Sequence, residues 1–116
     1  MGSFTEEGQE LAPEQVAKLV EKGEAELVDV RETYEHEAGR IGGDRHIEMD
    51  KLAAEADSLD RNRPLVFYCR TGSRSAVATE AFRGAGFNAY NLDGGILAWV
   101  DRGLPLEPED GEVAPH

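Results

Sequence analysis

The chain of 116 residues carries a single cysteine, Cys69. A lone cysteine excludes an internal disulfide, so the fold must rest on packing, and it leaves no resolving thiol for a two-cysteine redox cycle. Long apolar runs are missing as well, and nothing approaches the roughly 18 residues of a membrane span. The opening Met1-Gly2-Ser3-Phe4-Thr5-Glu6-Glu7 lacks the basic and apolar regions of a secretory signal, so a cytoplasmic location is expected. Basic residues are scarce, 12 against 24 acids, for a net charge of -12. A surface of that sign repels phosphate backbones and argues against nucleic acid as a partner. It leaves small anions open, because a few arginines can reverse the potential inside one pocket. The histidines His36, His46 and His116 have no partnering Cys or Glu-x-x-His spacing, and no metal or other cofactor is implied.

What is present fits one domain. The length allows one hydrophobic core and is too short for two. Strand-like and helix-like segments alternate with short connections, the pattern of an α/β domain with a mostly parallel sheet. Gln9 to Leu11 reads as a short strand. Pro13 opens a helix with Val16, Leu19 and Val20 at helical spacing, closed by Gly23. Ala25 to Val30 is a buried strand with Asp29 embedded, and Arg31 to Asp44 a polar, glycine-rich loop with room for one helical turn. His46 to Met49 suggests a further strand, and Leu52, Ala56 and Leu59 a helix.

Pro64 to Tyr68 is the most strand-like segment and runs directly into Cys69. A helix follows from Arg74, marked by Val77, Ala81, Phe82 and Ala85. Asn88 to Leu92 reads as the last strand, and Ile96 to Asp101 as a final helix around Trp99. These elements place the domain at residues 9–106, with a flexible N-terminus at 1–8. The segment 107–116 has four acids, two prolines and no Lys or Arg, and is expected to be disordered.

The chemistry concentrates in Cys69-Arg70-Thr71-Gly72-Ser73-Arg74-Ser75. Cys69 closes a strand where open α/β sheets place their ligands, beyond the carboxyl edge. The turn after it leads into a helix N-terminus, whose amides and dipole favour negative charge. Gly72 lets the backbone curl, and Arg70 and Arg74 add two permanent cations. Such surroundings favour the thiolate, so an accessible thiolate beside an anion cradle is expected. Ser73 or Ser75 would serve as the helix N-cap.

This loop resembles the active-site loop of the rhodanese family, the thiosulfate sulfurtransferases. Leu27-Val28-Asp29-Val30-Arg31-Glu32 resembles that family's strand ending in Asp-Val-Arg, and Gly39 to Gly43 its Gly-His-Ile-Pro-Gly segment. Asp93-Gly94-Gly95-Ile96, with Ala98-Trp99 behind, resembles its C-terminal signature. The match runs from about Leu11 to Leu106. It implies a three-layer domain with a central, mostly parallel, five-stranded sheet flanked by helices. It also implies Cys69 as nucleophile and sulfur carrier, with the backbone of Arg70, Thr71, Gly72, Ser73 and Arg74 holding the outer sulfur. Arg70 and Arg74 would contact the sulfonate of thiosulfate, Asp29 and Arg31 would give structural support, and Gly94, Gly95 and Trp99 would serve packing. The sequence departs from the family at His36, Arg40, Gly42 and Asp44, where an aromatic, His, Pro and Ala are usual, which affects the pocket rim.

The resemblance further implies a small anionic donor such as thiosulfate and an acceptor that is cyanide, a thiol or a sulfur-carrier protein. A monomer is expected. Two other readings stay open: a non-catalytic binding or sensing module on the same fold, and a cysteine phosphatase or arsenate reductase. Against the second, only four residues, Arg70 to Ser73, separate Cys69 from Arg74. Phosphatases of related architecture use a longer loop to enclose a tetrahedral oxyanion, and a tighter ring suits a single sulfur atom.

Overall fold

The computed structural model describes residues 8–116; the expected flexible N-terminus falls almost wholly outside them. Five parallel strands form one sheet in the order β1-β5-β4-β2-β3, with β1 at Glu10–Leu11, β2 at Glu26–Asp29, β3 at Arg45–His46, β4 at Leu65–Tyr68 and β5 at Ala89–Leu92. The helices are α1 (Pro13–Glu21), α2 (Thr33–Ala38), α3 (Leu52–Glu55), α4 (Ser73–Gly84) and α5 (Gly95–Asp101). The expected helix through Leu59 is shorter than its spacing suggests: α3 is one turn, flanked by 3-10 turns at Met49–Lys51 and Ala56–Ser58. The polar loop after β2 likewise carries the short α2.

The central strand explains where the cysteine points. Every residue of β4 is buried, as expected for a parallel strand covered on both faces. Val66 and Tyr68 join the core under α1 and α5 with Leu11, Val16, Leu19, Leu27, Leu92, Ile96 and Trp99. Leu65, Phe67 and Cys69 join the opposite core with Leu52, Leu59, Ala78, Phe82 and Phe87. Alternation along the strand thus assigns Cys69 to the α4 side. After β2 the chain steps outward to β3 and then returns to β4 on the other side of β2. The crevice at that reversal, between the carboxyl ends of β2 and β4, is where open α/β sheets bind ligands.

The acidic segment after Leu106 is not loose chain. Its backbone pairs with Arg40 through Glu107 N–H to the Arg40 carbonyl at 2.7 Å and the reverse bond at 2.9 Å. The Glu112 N–H donates to the Ala38 carbonyl at 2.9 Å, and the Tyr34 hydroxyl to the Pro115 carbonyl at 3.1 Å. Leu106 and Val113 pack on the core beneath α1 and α5. The charge count in 107–116 pointed to disorder; two apolar anchors and a main-chain bridge overcome it. The close approach depends on Gly39, where an added Cβ would meet the Glu112 backbone, its nitrogen at 2.8 Å. Gly39→Ala should therefore release the segment, seen as faster hydrogen exchange at the Glu112 amide and protease cleavage within 107–116. The amides of β4 should stay protected.

Candidate active site

Cys69 lies under the first turn of α4. Its Sγ accepts the Gly72 N–H at 3.1 Å, the Ser75 N–H at 3.4 Å and the Ser75 hydroxyl at 3.3 Å. Donors converging on one sulfur stabilise it most when it carries charge. The expectation of an accessible thiolate differs from the geometry, since Cys69 is fully buried. The strand end carries Sγ inward, on the side of the sheet where Phe67 and Ala78 join the core, so the sulfur forms the floor of the loop. Ser75 is fully buried and donates twice to that floor, whereas the N-cap position belongs to Gly72 at φ +99°. The sequence offered Ser75 only as a cap; its place in the first turn after a cysteine loop was the available signal. Thr71 and Ser73 sit on the outer face, their hydroxyls 3.2 Å apart.

The loop keeps this shape because α5 grips it from behind. Ile96 N–H donates to the Cys69 carbonyl at 2.9 Å, and Leu97 N–H to the Arg70 carbonyl at 3.1 Å. Gly95, at φ +67°, lies against those carbonyls: an added Cβ would stand 2.7 Å from the Cys69 oxygen and 2.6 Å from the Arg70 carbonyl carbon. The Asp-Gly-Gly-Ile signature therefore braces the sulfur loop directly.

The two arginines differ. Arg74 makes a bidentate pair with Glu35 on α2, both bonds 3.0 Å, and Glu35 also accepts the Glu32 N–H at 3.0 Å. Burial pushes the Glu35 carboxyl up, but the Arg74 bonds, the Glu32 amide and the Arg74 charge outweigh it and hold it below its ordinary value. Arg70 makes no side-chain hydrogen bond or ion pair among the described residues, and its Nε is buried without a partner. Sequence reasoning passed over Glu35, which looked like one acid among several in Glu32-Thr33-Tyr34-Glu35-His36-Glu37.

A second buried pair stands next to the first. Arg31 Nε and Nη2 each donate to Asp29 at 2.8 Å, and Nη2 also reaches the Gly39 carbonyl at 2.8 Å. Burial raises the Asp29 carboxyl, yet bonds and charge from Arg31, with a bond from His36, carry it below its ordinary value. The departures from the family pattern gather here. His36 Nδ1 lies 2.9 Å from Asp29 and stacks on His46 with centroids 4.3 Å apart. Tyr68 donates its hydroxyl to Asp44 at 2.7 Å. Arg40 forms the tail bridge, and Gly42 leaves room for the Glu107 side chain, which an added Cβ would meet at 2.7 Å. Donor atoms of Asp29, His36 and Asp44 lie within 4.8 Å of one another. The Arg31 guanidinium already occupies Asp29 and disfavours a metal cation there.

Comparison with known proteins agrees with this geometry. The Rhodanese-like domain family model matches residues 12–102. The thiosulfate sulfurtransferase GlpE of Pseudomonas aeruginosa is 40% identical over 106 residues, covering 90% of this chain and 94% of that protein. A putative sulfurtransferase of Bacillus subtilis, YtwF, is 37% identical over 93 residues, covering 77% of this chain and 90% of its own. Among solved structures, a rhodanese-related protein from Thermoplasma volcanium superposes with a TM-score of 0.78 at 26% identity, covering 84% of this chain and 96% of that one. The chain belongs to the rhodanese-like domain family.

The buried pairs set the acid response of the fold. Glu35 and Asp29 sit below their ordinary values, so their stabilisation is complete above about pH 5 and is lost as pH falls through the folded-state values. Asp44 opposes them: burial, ahead of the lowering by Tyr68, raises its carboxyl, so ionising it costs stability as pH rises past the ordinary Asp range. Glu35→Gln should lower stability at neutral pH by about 1–2 kcal/mol and make the acid limb shallower. Urea unfolding across the acid range measures both.

Proposed function

We propose that the protein moves a sulfane sulfur from thiosulfate, or a related persulfide donor, to a thiophilic acceptor through a persulfide on Cys69. Its class, a rhodanese-type sulfurtransferase, follows from the family and from the curated relatives. The observation that carries the mechanism is the convergence of the Gly72 and Ser75 amides and the Ser75 hydroxyl on Sγ. Cys69 attacks the outer sulfur of thiosulfate; the S–S bond breaks, sulfite leaves with the electron pair, and the outer sulfur stays on Cys69. An acceptor thiolate, or cyanide, then attacks that sulfur and Cys69 leaves as thiolate. This is two-step covalent catalysis. The Gly72 and Ser75 amides already converge on Sγ, beside the place where the outer sulfur gathers charge.

The arginines divide the work. Arg70, unpaired among the described residues, supplies the sulfonate contact. Arg74, held by Glu35, shapes the loop and lends it positive potential. Asp29 and Arg31 support the neighbouring strand end. The acceptor is a thiol, cyanide or a sulfur-carrier protein. The protein acts as a cytoplasmic monomer; among the described residues no helix is long and apolar enough to cross a membrane.

Intact mass after incubation with thiosulfate tests the core of this reading. Wild type should gain one sulfur atom and lose it to cyanide, and Cys69→Ser should gain none; a wild-type mass that never changes rejects the transfer. The arginines are read by comparing donors. Arg70→Ala should raise KM for thiosulfate roughly tenfold with little effect on a neutral persulfide donor. Arg74→Ala should slow both donors alike.

A further inference from the structure

We infer that Asn91, on β5 beside the catalytic strand, is a positioning residue that aims the sulfur-binding amides of the loop. Resting on the sulfur-transfer reading, this assigns a role to a residue outside the loop and outside the Asp-Gly-Gly turn. Asn91 is 2% exposed and lies in register with Phe67 of β4 and Glu10 of β1. Its Nδ2 donates to the Gly72 carbonyl at 3.0 Å and to the two Glu10 carboxylate oxygens at 3.1 and 3.2 Å. Each partner is an acceptor, so the amide orientation is determined: the reversed rotamer would set Oδ1 against three oxygens.

Gly72 is the hinge of the site. Its N–H meets Cys69 Sγ at 3.1 Å, its φ is +99°, and its carbonyl also accepts the Ala76 N–H at 3.0 Å. In a planar trans peptide the Gly72 carbonyl and the Ser73 N–H point in opposite directions. Holding that carbonyl toward Asn91 and the body of α4 therefore aims the Ser73 N–H away from them, toward the N-terminal end of α4. Donation to the carbonyl also polarises the same peptide and strengthens its N–H as a donor. Glycine alone would let this peptide rotate; Asn91 removes that freedom.

Asn91 Oδ1 points to the same conclusion, because it is buried without a donor among the described residues. An unsatisfied buried acceptor destabilises the fold, and a leucine of similar volume would avoid it. The position thus carries a stability penalty that its amide donor explains.

The test is Asn91→Leu, assayed with both thiosulfate and a neutral persulfide donor. The expected result is a roughly tenfold lower kcat for both donors, an unchanged KM for thiosulfate because Arg70 is untouched, and a melting temperature equal to or above wild type. Unchanged kcat overturns the proposal, as does a kcat loss matched by a lower melting temperature. Should Asn91→Leu fail to fold, Asn91→Val removes the same donor from the Gly72 carbonyl with a smaller side chain suited to a strand. A several-fold lower kcat at constant melting temperature supports the role, and wild-type kcat overturns it. Wild-type sulfur gain by mass, measured alongside, separates failure of this proposal from failure of the transfer reading.

Discussion

A loop that turns its amide hydrogens inward must turn its carbonyls outward, and each of those carbonyls needs a donor. Much of this domain is arranged to meet that requirement. The Cys69 and Arg70 carbonyls are taken by the first free amides of α5, and the Gly72 carbonyl by Ala76 and Asn91. The inward side then offers only donors to the sulfur. Helix starts favour anions, and here a rim satisfies the loop from outside. That requirement explains why a glycine turn distant in sequence approaches the cysteine so closely that a single methyl group would not fit.

Charge is organised in a second tier. The protein carries a net charge of -12, yet the buried carboxylates of Asp29 and Glu35 are matched by arginines. Asp29 holds Arg31, and Glu35 holds Arg74, so their negative charges are spent before they reach the sulfur. Buried pairs of this kind contribute little net stability compared with apolar residues of similar volume. Their value here is geometric: Glu35 and Arg74 tie α2 to α4, on which the cysteine loop depends, and Arg31 ties the end of β2 to Gly39 at the end of α2. The tail extends this tier, because its main-chain bonds run to Ala38 and Arg40, at the end of the helix that carries Glu35.

Much of this was legible in the sequence. The apolar run into Cys69, the following glycine and the arginine five residues on from the cysteine identified both the strand and the chemistry, since local backbone geometry and side-chain type depend on neighbours in the chain. Other features depend on distant partners and left weaker traces. Glu35 was indistinguishable from the surface acids beside it until its contact with Arg74 was visible. Asn91 lay inside a strand pattern that reports burial and says nothing of what an amide donates to. Burial of Cys69 followed from strand alternation, although its charged neighbours suggested exposure. The segment 107–116 misled because its acids dominate its composition, while Leu106 and Val113 set its path. The five-stranded α/β fold was readable for the opposite reason: hydrophobic period is a local signal, and here it agrees with the tertiary result.

The alternation in β4 has one more consequence. Leu65, Phe67 and Cys69 share one face, and Val66 and Tyr68 the other. A shift of one residue in this strand would send the cysteine to the opposite layer and bring the tyrosine under α4. Pairing with β2 and β5 on both sides fixes that register residue by residue, from Leu65 against Glu26 and Ala89 onward. The hydrogen-bond ladder is therefore the ruler that measures out the reaction centre, and an insertion or deletion within four otherwise ordinary apolar residues would misplace the nucleophile without altering the loop itself.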